Sequence, residues 1–273
     1  MEVIWTGSRL LAAIGRIISQ GPKPEVETEI ASACAEAIGL HLTMLILTAS
    51  DANLSGRHSC ALALFRAMED ALDCFAAVSL VPDAAEKWAK GRLKASKAAS
   101  LWEHRLGDTV LPSGEKAIEY RKGLRTYFNG FAHCSPYLTD WNMYPEFDTR
   151  ELVEPARELT ARFRVNHHQD ILDQNALRIG AYLAAHAIEF AAVVEMAYGR
   201  FLLHNPDLKR ELRQSKNDLE KVLEKEFGAV YLEEMPPQLK RPLLRDPSHP
   251  DLVIPLGPLL DRDEEDSPAD DSR

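Results

Sequence analysis

Apolar residues recur along most of this chain at steps of three and four, and nowhere alternate over a run long enough for a strand. That period puts them on one face of successive helices. Residues 2–20 place Leu10, Leu11, Ile14, Ile17 and Ile18 together, and "GPKP" ends that helix. Pro24 suits the first turn of a second helix running to about Thr48, and "SDANLS" breaks the chain. A third helix is expected from about Ser55 to Leu80, stopped by Val81-Pro82, and Asp83 with Glu86 has capping-box spacing for a fourth. "GDTVLPSG" reads as a loop, with Ser113 capping a helix that ends at His133. Residues 134–147 read as an ordered loop, and Asp148 with Glu151 as a further cap. "RVNHHQD" precedes a long apolar helix over 170–203, and Asn205-Pro206 opens a charged one ending at Gly228. The pattern predicts an all-α antiparallel bundle of about seven helices over 1–235. Residues 236–273 turn proline-dense and then acidic, with no period, and are expected to form a largely disordered tail.

Composition adds limits. Of 273 residues 45% are hydrophobic and 27% charged, enough apolar matter for a substantial core. Cys34, Cys60, Cys74 and Cys134 lie far apart without a CxxC pair, the pattern of small core residues in a reducing compartment. "MEVIWTGSRL" has no basic segment ahead of its apolar residues. The apolar run 37–49 falls about seven residues short of a bilayer crossing. The run 181–198 carries His186, Glu189 and Glu195. Both read as buried helices of a cytoplasmic protein without a membrane partner.

The formal net charge is −10, but residues 261–273 hold seven acids and two arginines, half of the excess. Residues 86–125 hold ten Lys/Arg against five Asp/Glu. Such a patch can be a solvated helix face or a phosphate-binding surface. Lys87, Lys90, Arg92, Lys94, Lys97, Arg121 and Lys122 are its candidate RNA contacts, with Trp88 and Trp102 available to stack on bases.

Two helices carry a polar edge beside an apolar stripe. In the third, Phe65, Met68, Leu72 and Phe75 form the stripe and Leu62, Arg66, Glu69 and Asp73 border it. In the helix ending at His133, Leu124, Phe128 and Phe131 form the stripe and Arg125, Asn129 and His133 the flank. Packed together, the two edges would share one polar seam, in which Arg66 or Arg125 pairs with Glu69 or Asp73. Charge beside a core is tolerated only when partnered.

The stretches "SGRHSCALALFRAMEDALDCFAAVSL" and "YRKGLRTYFNGFAHCSPYLTDW" resemble uncharacterised bacterial helical proteins related to the HEPN superfamily. The resemblance covers about 55–140. It implies a helical bundle and, as in many HEPN members, a metal-independent RNase of defence or stress systems, or an inactive relative. His133 matches the family histidine and Arg125 the upstream arginine, with Asn129 one turn before His133. Seven residues separate Arg125 from His133, one more than the family pattern, and a helix sets them roughly 12 Å apart. A homodimer would complete such a site across a two-fold. The chemistry is coherent: a histidine can move the 2′-hydroxyl proton, and a cation or amide can stabilise charge on phosphate.

Other constellations are thinner. His186 and Glu189 stand at i and i+3, with Glu36 and His41 conceivable beside them, but the order reverses the Glu-x-x-His of carboxylate bundles and the repeat is missing. A hydrogen bond between His186 and Glu189 within the helix is the plainer reading. His167-His168 with Asp170 stand at a loop start with no further clear ligand, and a helix cap is the plainer reading. No metal or cofactor is expected. No Gly-rich phosphate loop, GxSxG or HExxH motif is present. The alternative to an RNase is a non-enzymatic interaction module that engages a protein partner through its tail or its last charged helix.

Overall fold

The computed structural model describes residues 2–21, 24, 26, 28–103, 116–132, 143–145, 163–165, 173–227, 244–246 and 249–254. The protein is all-α. Nine helices stand among the described residues: α1 Glu2–Gln20, α2 Glu29–Leu54, α3 His58–Leu80, α4 Ala84–Ala89, α5 Ala95–Trp102, α6 Ala117–Ala132, α7 Asp173–Ala197, α8 Gly199–His204 and α9 Pro206–Phe227. Two short antiparallel ribbons pair Met143–Pro145 with Phe163–Val165, and Leu244–Asp246 with His249–Ile254.

The helix count exceeds the expected seven because two long segments divide. The fourth helix stops after one and a half turns, where Gly91 takes φ 66°. The Arg92 N–H then reaches back to the Lys87 carbonyl at 2.7 Å, closing the helix end as only a left-handed residue allows. The expected 170–203 helix breaks at Tyr198, whose ring is buried against Gly21; a Cβ there would meet it at 2.7 Å. The capping box of Asp83 and Glu86 does not form. Asp83 sits at φ 60° and makes no side-chain cap, since capping needs extended backbone.

The limits of α2 also move. Thr28, in extended conformation, accepts from the Ala31 N–H at 3.1 Å and starts the helix four residues beyond Pro24. "SDANL" continues it to Leu54. Gly56, at φ 72°, ends it, with Arg57 N–H bonded to the Ala52 carbonyl at 2.8 Å. Ser113, His133, residues 134–142, Asp148, Glu151, His167, His168 and Asp170 lie outside the described residues.

Helix α3 is the axis of the fold, packed against α2, α4, α5, α6 and α7, while α1 packs on α2, α7 and α9. The stripe of α1 is buried as expected, and so are Phe65, Met68, Leu72 and Phe75 of α3. Phe128 of α6 stacks on Phe65 with centroids 5.1 Å apart, and Phe75 meets Phe190 of α7 edge-on at the same distance. The side chains of Leu124 and Phe131 lie outside the described residues. Gly39 lets α2 approach this core: a Cβ would stand 2.8 Å from Ile18 Cδ1. Helices α2 and α7 (from Ile179) are each long and apolar enough to cross a bilayer. In α7 83% of that apolar window is buried, in α2 only 39%. A helix apolar on every side belongs in an interior. Helix α7 obeys that rule, and α2 obeys it on one face.

Candidate functional site

Four helices deliver charged groups to one place. Glu69 and Asp73, four apart on α3, share a face, as do Arg121 and Arg125 on α6 and His186 and Glu189 on α7. The end of α5 adds Trp102 and Glu103. Glu69, Asp73, Glu103, Arg121, His186 and Glu189 are all buried.

Arg121 is the centre. Its Nη2 lies 2.9 Å from Asp73 Oδ1, its Nε 3.1 Å from Glu103 Oε1, and its Nη1 pairs with Glu189 Oε1. Glu69 Oε2 stands 4.0 Å from Nη2. The guanidinium also lies over the Trp102 ring, 4.7 Å from its centroid. Trp102 turns its Nε1–H to Asp73 Oδ1 at 3.1 Å, so one indole covers the cation and bonds the anion. Arg125, one turn on, donates through Nη1 to Asp73 Oδ2 at 3.2 Å and to Glu103 Oε1 at 2.7 Å.

His186 settles the proton count. Its Nδ1 faces the Tyr182 carbonyl at 2.8 Å, which can only accept, so Nδ1 carries a proton. Its Nε2 stands 2.9 Å from Glu69 Oε1. One proton is shared there, as imidazolium with carboxylate or imidazole with carboxylic acid, and the pair is neutral either way. Asp73, Glu103 and Glu189 then set three carboxylates against the guanidinium groups of Arg121 and Arg125. Burial accordingly pushes the Asp73 carboxyl above its ordinary value, against the pull of Arg121 and Arg125. Burial opposes the charge on Arg125, but its bond to Glu103 and the carboxylates of Asp73, Glu103 and Glu69 outweigh that and shift it up.

The expected polar seam of α3 and α6 is therefore present, with Arg125 on Asp73 as one of the anticipated pairs. Its other details differ. Arg66 turns along its own helix to Asp70 at 2.7 Å instead of joining Glu69. Glu69 and Asp73 lie inside the bundle, not along its border. His186 bonds Glu69 on α3, so its ring partner lies across the interface instead of at Glu189. Arg121, expected among the RNA contacts, has no exposed surface and cannot meet a strand. The signal for it was in the spacing: the four-residue steps of Arg125, Asn129 and His133 extend one turn back to Arg121. Nothing in the local pattern marked Glu103, which comes from a separate helix.

Of the remaining candidates, Asn129, Lys87, Lys90, Arg92, Lys94, Lys97 and Lys122 are exposed, and Lys90 pairs with Glu86 at 2.9 Å. His133 lies outside the described residues. Glu36 and His41 are exposed on α2. Among the described residues no three His, Cys, Asp or Glu side chains are grouped to hold a metal ion. The position between Asp73, Glu103 and Glu189 is filled by the Arg121 guanidinium, which satisfies the carboxylates as a cation would. Chemically, the cluster is an internal ion-pair network in which all three nitrogens of Arg121 and Nη1 of Arg125 meet its own carboxylates. Comparison of the chain with protein-family models, curated proteins and solved structures finds no match to any of them.

Proposed function

We propose that the chain is a helical interaction module, in which the arginine–carboxylate seam holds the helices together and the outward faces bind. The observation that carries this reading is the engagement of Arg125. The side chain best placed to stabilise a phosphate is bonded to both Asp73 and Glu103 and is only 13% exposed. Both bonds run through Nη1, so a phosphate meeting that nitrogen would have to displace a carboxylate already desolvated against it, which is costly. The test is cleavage of mixed-sequence RNA in EDTA by the wild type and by His133→Ala. This reading expects no cleavage above buffer by either protein. Cleavage by the wild type that is absent from a folded His133→Ala variant would sink it.

A second reading retains the HEPN-like, metal-independent RNase of a bacterial defence system. It is favoured by the exposure of Lys87, Lys90, Arg92, Lys94, Lys97 and Lys122, all within the basic segment. In it, His133 is the general base, Asn129 orients it, and those cations hold the strand. The same assay decides between the two.

A further inference from the structure

Helix α2 is apolar on two opposite sides. One side, with Ala31, Cys34, Ala35, Ile38, Leu42, Ile46 and Ala49, is buried in the bundle. On the other, Leu40 is 64% exposed, Met44 53%, Leu54 49%, Leu47 41% and Ile30 37%. With the exposed Ala33, Ala37 and Asp51 these positions run 30, 33, 37, 40, 44, 47, 51, 54. The steps alternate three and four throughout, which is the seam of a two-helix coiled coil. Beside the seam a groove of about 410 Å³ is lined by Ala37 and His41 of α2, Ala67, Asp70 and Cys74 of α3, and Trp88 of α4. The seam runs for roughly 36 Å at about 10 Å width, some 360 Å² before the groove is added. The largest exposed apolar patch on a monomer is of that order and is often functional.

We infer that this face joins a second copy of the chain, α2 lying antiparallel on α2 about a two-fold axis at the level of residue 42. This rests on the interaction-module reading and names its partner. The seam is self-complementary under that operation. Leu40 then faces Met44, small Ala37 faces large Leu47, Ala33 faces Asp51, and Ile30 faces Leu54. Charges agree with it. Glu36 faces Thr48 and His41 faces Thr43, while Glu29 comes near Arg57 of the other copy. A parallel pairing would set Glu29, Glu36 and Asp51 each against itself and leave two alanine layers hollow. A bilayer surface fits less well, because α2 contains no Lys or Arg, the residues by which interfacial helices hold anionic lipid. The helix seam alone is smaller than the roughly 800 Å² per partner of a standard interface, so the dimer is expected to exchange with monomer at micromolar concentration.

The experiment is light scattering on the full chain across the micromolar range, with Leu40→Glu and Leu47→Glu as exposed substitutions that leave the core untouched. The expected result is a wild-type mass rising to that of two chains, and dissociation made more than about tenfold easier in each variant, with circular dichroism unchanged. Ala37→Cys and Leu47→Cys, in a Cys60→Ser/Cys74→Ser/Cys134→Ser background, report the geometry. Under oxidation they should cross-link when mixed with each other and not when oxidised singly. A wild type that stays monomeric overturns the proposal, as does a dimer that survives both glutamates or an Ala37→Cys variant that cross-links to itself. A monomer that sediments with phosphatidylcholine/phosphatidylglycerol vesicles would assign the face to lipid and overturn it too. RNA cleavage by a wild type that still dimerises would fail the module reading alone. A monomer without cleavage would fail the dimer alone.

Discussion

Arg121 Nη2 and Asp73 Oδ1 stand 2.9 Å apart with both side chains entirely removed from solvent. Such a pair gains Coulomb energy but loses the hydration of both ions, so its net worth is small while its integrity matters greatly. Removing Arg121 strands the acids around it, whereas neutralising one acid relieves the negative excess. Arg121→Met is predicted to lower unfolding stability by about 3–5 kcal/mol in urea titrations at pH 7. Glu103→Gln keeps an oxygen for Arg121 and Arg125 and is predicted to cost under about 1 kcal/mol. Equal losses in the two variants would contradict the charge count of the cluster.

The same cluster predicts a pH dependence. Burial raises the Asp73 carboxyl in the folded protein, against its two arginines. A raised carboxyl binds its proton more tightly folded than unfolded. Its contribution is therefore full below the unfolded value and lost as pH rises through the folded one. Asp73→Asn cannot titrate. The stability of wild type relative to Asp73→Asn should be highest at acid pH and fall as pH rises beyond the ordinary carboxylate range. Urea midpoints measured at several pH values check this, and a wild type that gains on Asp73→Asn as pH rises would reverse the assignment.

Two glycines should respond oppositely to alanine. At Gly39 a Cβ would stand 2.8 Å from Ile18 Cδ1 and 3.4 Å from Phe75. Overpacking there is predicted to outweigh the helix-propensity gain and to destabilise by about 1–2 kcal/mol. Gly15 on α1 is exposed with nothing within 4 Å of a Cβ, and Gly15→Ala should stabilise by about 0.5–1 kcal/mol. Thermal unfolding of the two variants side by side reads both signs.

How far the chain could be read follows from the range of the forces involved. The all-α class, the buried stripe of α1 and the stripe of α3 were legible because periodicity is local. So was the pairing of Arg125 with Asp73, since both lie one step from an apolar stripe. Helix ends were less so. Asp83 has the right neighbours for a cap but a left-handed backbone set by the turn it closes. Arg121 looked like one more lysine-rich surface cation, because burial of a charge depends on carboxylates from α3, α5 and α7 that are distant in sequence. The exposed seam of α2 was hidden for the opposite reason. Its apolar residues read as core, and only packing reveals that one of its two faces is left outside.

Under the proposed function, Arg125 serves the seam and not a catalytic surface. Arg125→Ala separates the two roles when one preparation is measured for urea stability and for cleavage of mixed-sequence RNA in EDTA. We expect a loss of about 2 kcal/mol, from hydrogen bonds to Asp73 and Glu103, with RNA untouched by wild type and variant alike. A wild type that cleaves RNA, beside an equally stable Arg125→Ala that does not, would contradict it.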